Sequence, residues 1–474
     1  MNKHVMWAGA ATLAVCFIAG IFVSQKGFDI QPENQSTTSD DADPAAIFEP
    51  QQDLAPDLAK ALEEDPADLL PPEPQAGIPG VPPDVPISIN MAYVEDGRYV
   101  VRTETGHRII LTIDPDLQND MSSMMRNYDI PHAAFAAVEP QTGRVLALVG
   151  EEAAKEPIGD VALKAMAPSA SIFKLITAAA LIEGEGFDPA TRTCYPLAGS
   201  VPSDGNVLGS EQADEACADL GTAFGQSNNY VFSRLAHKHL DSDELLQWAS
   251  RFGYNEPIPF NLPMDPSRAD FTDLDPATQA RAAAGFWHTH LNPLHSALIA
   301  ATVANGGVMM RPNLIEEILD PDGNTIYAFM PVPYKQVIKE DTARKLAEIM
   351  VYSTTVGTAA KHMRNPKNLP PEYIVAGKTG TLSQKKPYLM FSWFVGFAPI
   401  ERPDIALGVL LCNPARWRIK ASYAAARGLK LWREKKARMA KAQAPPATDP
   451  APDEELPEAL KLDAPAETEP AVEP

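Results

Sequence analysis

Three short clusters of residues have the types and the spacing that acyl-transfer chemistry requires. In chain order they are Ser171-Ile-Phe-Lys174, Ser227-Asn-Asn229 and Lys378-Thr-Gly380. A serine hydroxyl is a weak nucleophile that needs a nearby base, and a lysine that has lost its proton can serve as that base. The three clusters together therefore indicate a serine enzyme that forms an acyl intermediate.

Ser171 and Lys174 are predicted to lie at the start of a buried helix. An apolar run extends from Ile172 to Ile182, after Pro168 and before Gly184, with helix start and stop signals at its ends. Unpaired backbone N–H groups and the positive end of the helix dipole favour negative charge on an attacking oxygen there. Lys174 shares the face of Ser171, and burial would lower the pKa of its amine. A lysine that simply reaches solvent near a helix start is the alternative.

The second cluster is predicted to lie near the start of another helix, because apolar residues recur at helical spacing from Tyr230 onward. The Ser227 hydroxyl could pass a proton between the lysine amine and a leaving nitrogen. The Asn229 amide could hold a substrate carbonyl or the lysine. Helix capping by serine or asparagine is the competing interpretation.

The third cluster lies in a predicted strand, Tyr373 to Leu382, which two further strand-like runs follow. Gly380 would let a ligand approach the strand backbone closely. Lys378 and the hydroxyls of Thr379 and Thr381 can bind a carboxylate, and an edge N–H can donate to an oxyanion. An isolated Lys-Thr-Gly would be more typical of a turn.

On these three clusters the chain resembles the penicillin-binding proteins and serine β-lactamases. The resemblance runs from about Leu111 to Asn413 and includes 111–118, 134–149, Gly357-Thr-Ala359 and Trp393–Pro399. These additional segments are similar to the transpeptidase domain of high-mass penicillin-binding proteins, more than to a β-lactamase or a small carboxypeptidase. No glycosyltransferase or pedestal domain is recognisable ahead of them, so glycan polymerisation is not expected.

The resemblance implies a role for each motif residue. Ser171 would be the nucleophile and Lys174 its base. Ser227 would be a proton relay, and Asn229 would supply an amide that positions the substrate. The substrate carboxylate would be bound by Lys378, Thr379, Gly380 and Thr381. The backbone N–H groups of Ser171 and Thr381 would form the oxyanion hole. No cofactor and no metal ion is implied.

The fold that the resemblance implies is α+β, with an antiparallel five-stranded sheet flanked by helices and an all-helical subdomain beside it. The site would lie in the cleft between the two. Hairpins predicted around Pro140–Gly143 and Pro399–Pro403 agree with this fold, as does the mostly helical pattern from Leu175 to Arg251.

The composition predicts four regions along the chain: a transmembrane anchor at 1–24, an acidic linker at 25–87, the catalytic domain at 88–441 and an acidic tail at 442–474. Val5 to Val23 is apolar except for Thr12 and would span about 29 Å as a helix, close to one bilayer core. A cleaved signal peptide is the alternative. The catalytic domain is therefore expected at the cytoplasmic membrane, on its outer side.

The acidic net charge of the chain is concentrated in the two proline-rich segments, which are expected to be disordered. Residues 29–86 carry a net charge of −13 and residues 443–474 a net charge of −8, out of −22 for the whole chain. The remaining body is thus close to neutral, which gives nucleic-acid binding no support. A basic stretch from Lys420 to Lys441 is predicted to form a C-terminal helix.

Cysteines and histidines leave several possibilities open. Cys194 and Cys217, placed in one helical segment by the prediction, could form a disulfide outside the membrane or remain free, whereas Cys412 is expected to be a buried thiol. His288 and His290 precede a segment near the predicted cleft, and no role is assigned to them. Their spacing diverges on a helix and does not indicate a metal site.

The function expected from this set is a membrane-anchored peptidoglycan D,D-transpeptidase, acylated on Ser171, that crosslinks stem peptides and is inhibited by β-lactams. Other cell-wall synthesis proteins are candidate partners. Two alternatives remain: a D,D-carboxypeptidase, and a receptor or scaffold of the same fold that binds β-lactams or peptidoglycan without turnover. Persistence of the acyl ester is expected, since no residue recognisable in the sequence is placed to activate water against it.

Overall fold

The computed structural model describes residues 91–152, 161–197, 201–209, 214–386 and 388–443. All of them belong to one compact unit of the chain, 44–474. The predicted anchor and linker, and the acidic tail beyond residue 443, lie outside the described residues. Within the described part of the chain, no helix has the length and apolar character needed to cross a bilayer.

The described residues form the following regular elements. The strands are β1 Tyr93–Glu95, β2 Arg98–Arg102, β3 Arg108–Leu111, β4 His132–Val138, β5 Val145–Glu152, β6 Ala167–Pro168, β7 Arg192–Tyr195, β8 Ala216–Asp219, β9 Arg268–Ala269, β10 Thr289–Leu291, β11 Val308–Met310, β12 Ile315–Leu319, β13 Thr325–Ala328, β14 Pro333–Gln336, β15 Ala376–Lys385, β16 Tyr388–Ala398 and β17 Ile405–Asn413. The α-helices are α1 Pro115–Asn127, α2 Lys174–Ala179, α3 Asp204–Leu208, α4 Leu220–Gly225, α5 Asn229–His239, α6 Ser242–Arg251, α7 Pro276–Ala283, α8 Pro293–Ala304, α9 Glu340–Thr355, α10 Ala360–Met363 and α11 Ala421–Gln443.

A five-stranded antiparallel sheet of order β15-β16-β17-β4-β5 forms the centre of the fold, as predicted. Helix α8 packs on one face, and α1 and α11 pack on the other. The strands are apolar at successive positions, and successive side chains point to opposite sides, so both faces of the sheet are apolar. Ala134 and Ala136 thus lie in one buried cluster and Phe135 and Ala137 in another.

Smaller sheets surround the central one, and the sequence did not predict them. A second five-stranded sheet has the order β1-β2-β3-β12-β13. A three-stranded sheet of order β6-β10-β9 matters more for the site, because β6 ends three residues before Ser171. The indole Nε1 of Trp393 on β16 donates to the carbonyl of Pro168 at 2.9 Å, which fixes this sheet against the central one.

The region predicted to be mostly helical also contains a two-stranded antiparallel ladder, β7–β8. Cys194 and Cys217 are directly paired in this ladder and are joined by a disulfide, so their predicted place within a helical segment is wrong. The bridge itself was one of the two open possibilities. Cys412 is a buried free thiol on β17, as predicted.

The predicted helix around Ile172–Ile182 exists but is not uniform. A 3₁₀ turn at Ala170–Phe173 leads into α2, and a π-helical turn at Ala180–Gly184 ends it. Its apolar side chains are buried in the main cluster. The C-terminal helix predicted from the basic stretch is confirmed as α11, which packs on the central sheet.

Candidate active site

Ser171 lies in the 3₁₀ turn that precedes α2, and the local backbone holds it there. Ala170 has a left-handed φ of 49°, which is uncommon for a residue with a side chain. The backbone that lies against Ala170 is that of Gly285, whose φ is +95°. A Cβ at Gly285 would lie 2.2 Å from the carbonyl oxygen of Ala170, so only glycine allows the two backbones to approach this closely.

The Nζ atom of Lys174 is fully buried and has three oxygen neighbours. It lies 2.8 Å from Oδ1 of Asn229, 2.5 Å from the carbonyl oxygen of Ala284 and 3.0 Å from Oγ of Ser171. The first two oxygens can only accept hydrogen bonds. A neutral amine donates its two protons to them, which leaves its lone pair to accept from the Ser171 hydroxyl. The geometry therefore suits a general base.

The electrostatics of the site favour this neutral form. Burial holds the pKa of Lys174 well below its ordinary value, and the positive charge of Lys378 lowers it further. An apolar wall contributes to the burial, since the ring of Phe232 lies 5.7 Å from Nζ. Burying an ammonium costs free energy, and the group responds by losing its proton.

Ser227 and Asn229 lie at the junction of α4 and α5. Ser227 has a left-handed φ of 57°, and Asn228 caps α5 by accepting from the N–H groups of Tyr230 and Val231. The Asn cap thus falls on Asn228, whereas the side chain of Asn229 is available to Lys174. The sequence allowed either a substrate carbonyl or the lysine as partner of the Asn229 amide, and the structure shows the contact with Lys174.

The hydroxyl of Ser227 accepts a hydrogen bond of 2.8 Å from Nζ of Lys378. Sequence reasoning paired Ser227 with Lys174 instead, because chain order gives no information on which lysine it contacts. Lys378 also donates to the carbonyl of Thr379 at 2.9 Å and is fully buried. Burial lowers its pKa from 10.5 to about 7.

Strand β15 is an edge strand of the central sheet and forms one wall of the cleft. Its residues alternate: Lys378 and Gly380 are buried, Thr379 is half-buried and Thr381 is exposed. The threonine hydroxyls therefore share the face that a ligand can reach. A Cβ at Gly380 would lie 3.2 Å from the side chain of Ile172, which explains the close packing of the strand on the turn of Ser171.

Thr358 lies at the site, although the sequence motif that contains it predicted no role for it. Its Oγ1 lies 2.5 Å from Oγ1 of Thr379, and its N–H donates to the carbonyl of Gly225 at 3.1 Å. The residue therefore contacts both strand β15 and the turn that leads to Ser227. Its position at the centre of Gly357-Thr-Ala359 was the only signal in the sequence.

A pocket of about 250 Å³ opens beside Ser171. It is lined by Ser171, Val201, Asn229, Ala284, Gly285, Phe286, Thr381, Leu382, Ser383 and Met390. Six of these residues, Val201, Ala284, Gly285, Phe286, Leu382 and Met390, have side chains that carry no catalytic signature, so the sequence could not identify them. Ser383 was not identified as a site residue either. His290 lies instead on β10, paired with Pro168, and burial lowers its pKa.

Comparison with known sequences places most of the described chain in one family. Residues 133–429 match the family described as "Penicillin binding protein transpeptidase domain". Among curated proteins, the chain is similar to the peptidoglycan D,D-transpeptidase PbpA of Mycobacterium tuberculosis, with 29% identity over 348 residues, 66% of this chain and 69% of that protein. It is also similar to stage V sporulation protein D of Bacillus subtilis, with 26% identity over 52% of this chain and 38% of that protein.

Solved structures agree with this assignment. The imipenem acyl-enzyme complex of penicillin-binding protein A from M. tuberculosis matches with a TM-score of 0.58 and 27% identity, over 68% of this chain and 78% of that chain. Its penicillin G acyl-enzyme complex matches with a TM-score of 0.56 and 27% identity, over 70% and 80% of the two chains. The predicted α+β fold is confirmed.

Proposed function

The chain belongs to the penicillin-binding protein transpeptidase family, and we propose that it acts as a peptidoglycan D,D-transpeptidase with Ser171 as the acylated nucleophile. The contact between Nζ of Lys174 and Oγ of Ser171, at 3.0 Å, carries the proposal. It brings a fully buried amine of lowered pKa within proton-transfer distance of a hydroxyl that lines an open pocket.

Acylation then follows from the contacts of the site. Lys174 takes the proton of Ser171 as Oγ bonds to the carbonyl carbon of the D-Ala-D-Ala amide. The charge on the carbonyl oxygen is held by the N–H groups of Ser171 and Thr381. As the C–N bond breaks, Lys174 returns that proton to the leaving D-alanine nitrogen. Ser227 would relay it, although in the structure its hydroxyl accepts from Lys378 and not from Lys174. The products are an ester at Ser171 and free D-alanine, and Lys174 is neutral again.

The substrate carboxylate is bound on the side of the cleft that strand β15 forms. The terminal carboxylate lies against the hydroxyls of Thr379 and Thr381, with the ammonium of Lys378 beneath them. A carboxylate there would stabilise the charged form of Lys378 and hence raise its lowered pKa. Gly380 keeps the strand close to the turn of Ser171, so that the carboxylate and the scissile carbonyl are engaged together.

Release of the ester by an amine is favoured over hydrolysis. Among the described residues that line the pocket, none is an aspartate or glutamate that could activate water. An acceptor amine bound beside β15 gains from its high effective concentration, and Lys174 can deprotonate it. The new amide bond forms as the ester bond to Ser171 breaks, and Lys174 returns the proton to Oγ of Ser171. The product is an amide crosslink between two stem peptides.

The test has two stages. After treatment with penicillin, mass spectrometry should find the adduct on the peptide that contains Ser171, and Ser171→Ala should carry none. The purified protein should then form crosslinked dimers from lipid-linked or polymeric substrate. Release of D-alanine without crosslinks would establish a carboxypeptidase instead, and rapid turnover of penicillin a β-lactamase. Stable acylation without any turnover of stem peptide would favour the receptor.

The proposal includes attachment to the cytoplasmic membrane through residues 1–24, with 25–87 as a tether and the catalytic domain, 88–441, on the outer side. The apolar run of Val5–Val23 supports it. Deletion of residues 1–24 should move the protein from the membrane fraction to the soluble fraction without changing its acylation by penicillin. Retention of the shortened chain in the membrane fraction would contradict this attachment.

A further inference from the structure

Strand β15 continues well beyond the residues that the chemistry uses. It pairs with β16 as far as Lys385, opposite Tyr388, so that a two-stranded hairpin extends from the cleft. Leu382 and Ser383 on this extension line the same pocket as Ser171. The extension is therefore continuous with the acylation site, and its outer edge has no neighbouring strand among the described residues.

Side chains along the extension alternate between the two faces of the strand. Thr381, Ser383 and Lys385 are exposed and share one face, whereas Leu382 and Gln384 are half-buried. At about 3.4 Å per residue, Lys385 lies about 14 Å along the strand from Thr381. Lys386 follows at the hairpin end and is also exposed. One row of polar groups thus leads from the carboxylate-binding threonines to two lysines.

The two lysines form a local positive charge. From residue 376 to 398 the hairpin contains no aspartate or glutamate. Within the part of the chain that the structure describes, no ion pair involves either Lys385 or Lys386. Since the body of the protein is close to neutral, this charge is not part of a generally basic surface.

We propose that Lys385 and Lys386 form a binding subsite for carboxylate groups of the acyl-donor peptide, on the residues that precede its D-Ala-D-Ala end. The inference rests on the proposed function and extends it to the choice of donor. It assigns the hairpin end a role in selecting acidic over neutral peptides.

The direction of the bound peptide follows from the site. In the proposed complex its terminal carboxylate lies against the hydroxyls of Thr379 and Thr381 above Lys378, and its scissile carbonyl lies further along the strand, at the N–H groups of Thr381 and Ser171. The rest of the peptide must therefore run toward Lys385, antiparallel to β15. An extended peptide on an open strand edge forms main-chain hydrogen bonds while its side chains reach neighbouring strand residues. The residues that precede D-Ala-D-Ala thereby lie opposite Leu382 to Lys385, within reach of the lysine side chains.

The experiment uses two synthetic peptides that end in D-Ala-D-Ala and differ only at the two preceding residues, Glu-Glu in one and Gln-Gln in the other. The rate of D-alanine release with an acceptor amine is measured for the full-length protein and for Lys385→Gln/Lys386→Gln. Exposed pairs of opposite charge are individually weak, and two of them should give the wild type a preference of about tenfold for the acidic peptide. The variant should lose this preference and retain its rate with the neutral peptide.

The matched control is Lys361→Gln/Lys367→Gln, which removes two exposed lysines outside the hairpin and should keep the preference. Acylation by penicillin, which is too small to reach the hairpin end, should be equal in all three proteins. Failure of acylation in the wild type would overturn the proposed function itself. Equal rates for the two peptides in an acylated wild type would overturn only the subsite.

Ionic strength gives a test without variants. The preference of the wild type for the acidic peptide should fall as salt rises from 0.05 to 0.5 M, because exposed charges are screened. A preference that salt does not change, or one that the double variant retains, would show that the lysines do not bind the carboxylates.

Discussion

Nζ of Lys378 lies 2.8 Å from Oγ of Ser227, so a lysine on the edge strand of the sheet bonds directly to the turn that begins the helical side of the cleft. The same lysine is the expected charge partner of the substrate carboxylate. Substrate binding and the position of Ser227, the proposed proton relay, are therefore linked through one side chain. A change in the charge of Lys378 should affect both.

Replacement of the two buried lysines should separate their roles. Lys378→Ala should slow acylation by penicillin by about 10-fold to 150-fold, because it removes about 1.5–3 kcal/mol of charge-assisted binding in the transition state. Lys174→Ala should slow acylation more, since among the described residues no other base contacts Ser171. Stopped-flow measurement of acylation checks both variants. Wild-type rates in both would show that these roles are wrongly assigned.

Thr358 should assist carboxylate binding through Thr379. Thr358→Val keeps the shape of the side chain but removes the hydroxyl that lies 2.5 Å from Thr379, and we expect a loss of about 1 kcal/mol, or about fivefold, in the apparent affinity for penicillin. The maximal acylation rate should change less, because the residue does not contact Ser171. Thr358→Ser should restore the affinity. Equal loss in the serine and valine variants would indicate a packing role instead.

The stability of the protein should depend on pH through Lys378. Its pKa is about 7 in the folded state and ordinarily 10.5, so between these values the unfolded chain holds a proton that the folded protein has released. Stability therefore rises with pH across this window, and the full cost of burying the charge remains below pH 7. Relative to Lys378→Met, the wild type should gain about 2 kcal/mol in urea unfolding between pH 7 and pH 9. An unchanged difference would contradict the lowered pKa.

The disulfide between Cys194 and Cys217 closes a loop with a sequence separation of 23 residues. Its reduction should lower the free energy of unfolding by about 3 kcal/mol in the chain-entropy model. Thermal unfolding with and without reductant measures the effect, and Cys194→Ser/Cys217→Ser should match the reduced wild type. Alkylation of both cysteines in the native protein without reductant would show that the bridge is absent.

Local signals predicted the two hairpins of the central sheet, whereas the five-stranded sheet as a whole was implied by the family resemblance. Two turns rich in glycine and proline separate the β4–β5 and β16–β17 pairs, and the apolar runs are continuous. The peripheral sheet is built from short strands such as β1 and β13, whose three or four residues carry too little periodicity to recognise. The β7–β8 ladder was missed for the same reason, since its strands contain four residues each.

The site was predicted at the level of motifs but not of contacts. Ser171 and Lys174 were identifiable because they are close in the chain and share a helical face. The contact of Ser227 with Lys378 joins residues that are far apart in sequence, and only tertiary packing decides it. Thr358 and Phe286 were missed as site residues because a threonine or a phenylalanine has many structural uses, so that its type alone does not indicate a site.

The order of strands in the central sheet also bears on how the protein is made. Strand β4 pairs with β17 through residues 132–138 and 406–412, and the helical side of the cleft lies between them in the chain. During synthesis, the edge of β4 that pairs with β17 stays unpaired until nearly the whole catalytic domain has left the ribosome. Long-range pairing of this kind is slow to form. A chain interrupted before β17 would contain Ser171, Lys174 and Ser227 and yet lack the partner that completes its sheet, so we expect proteolysis to remove it.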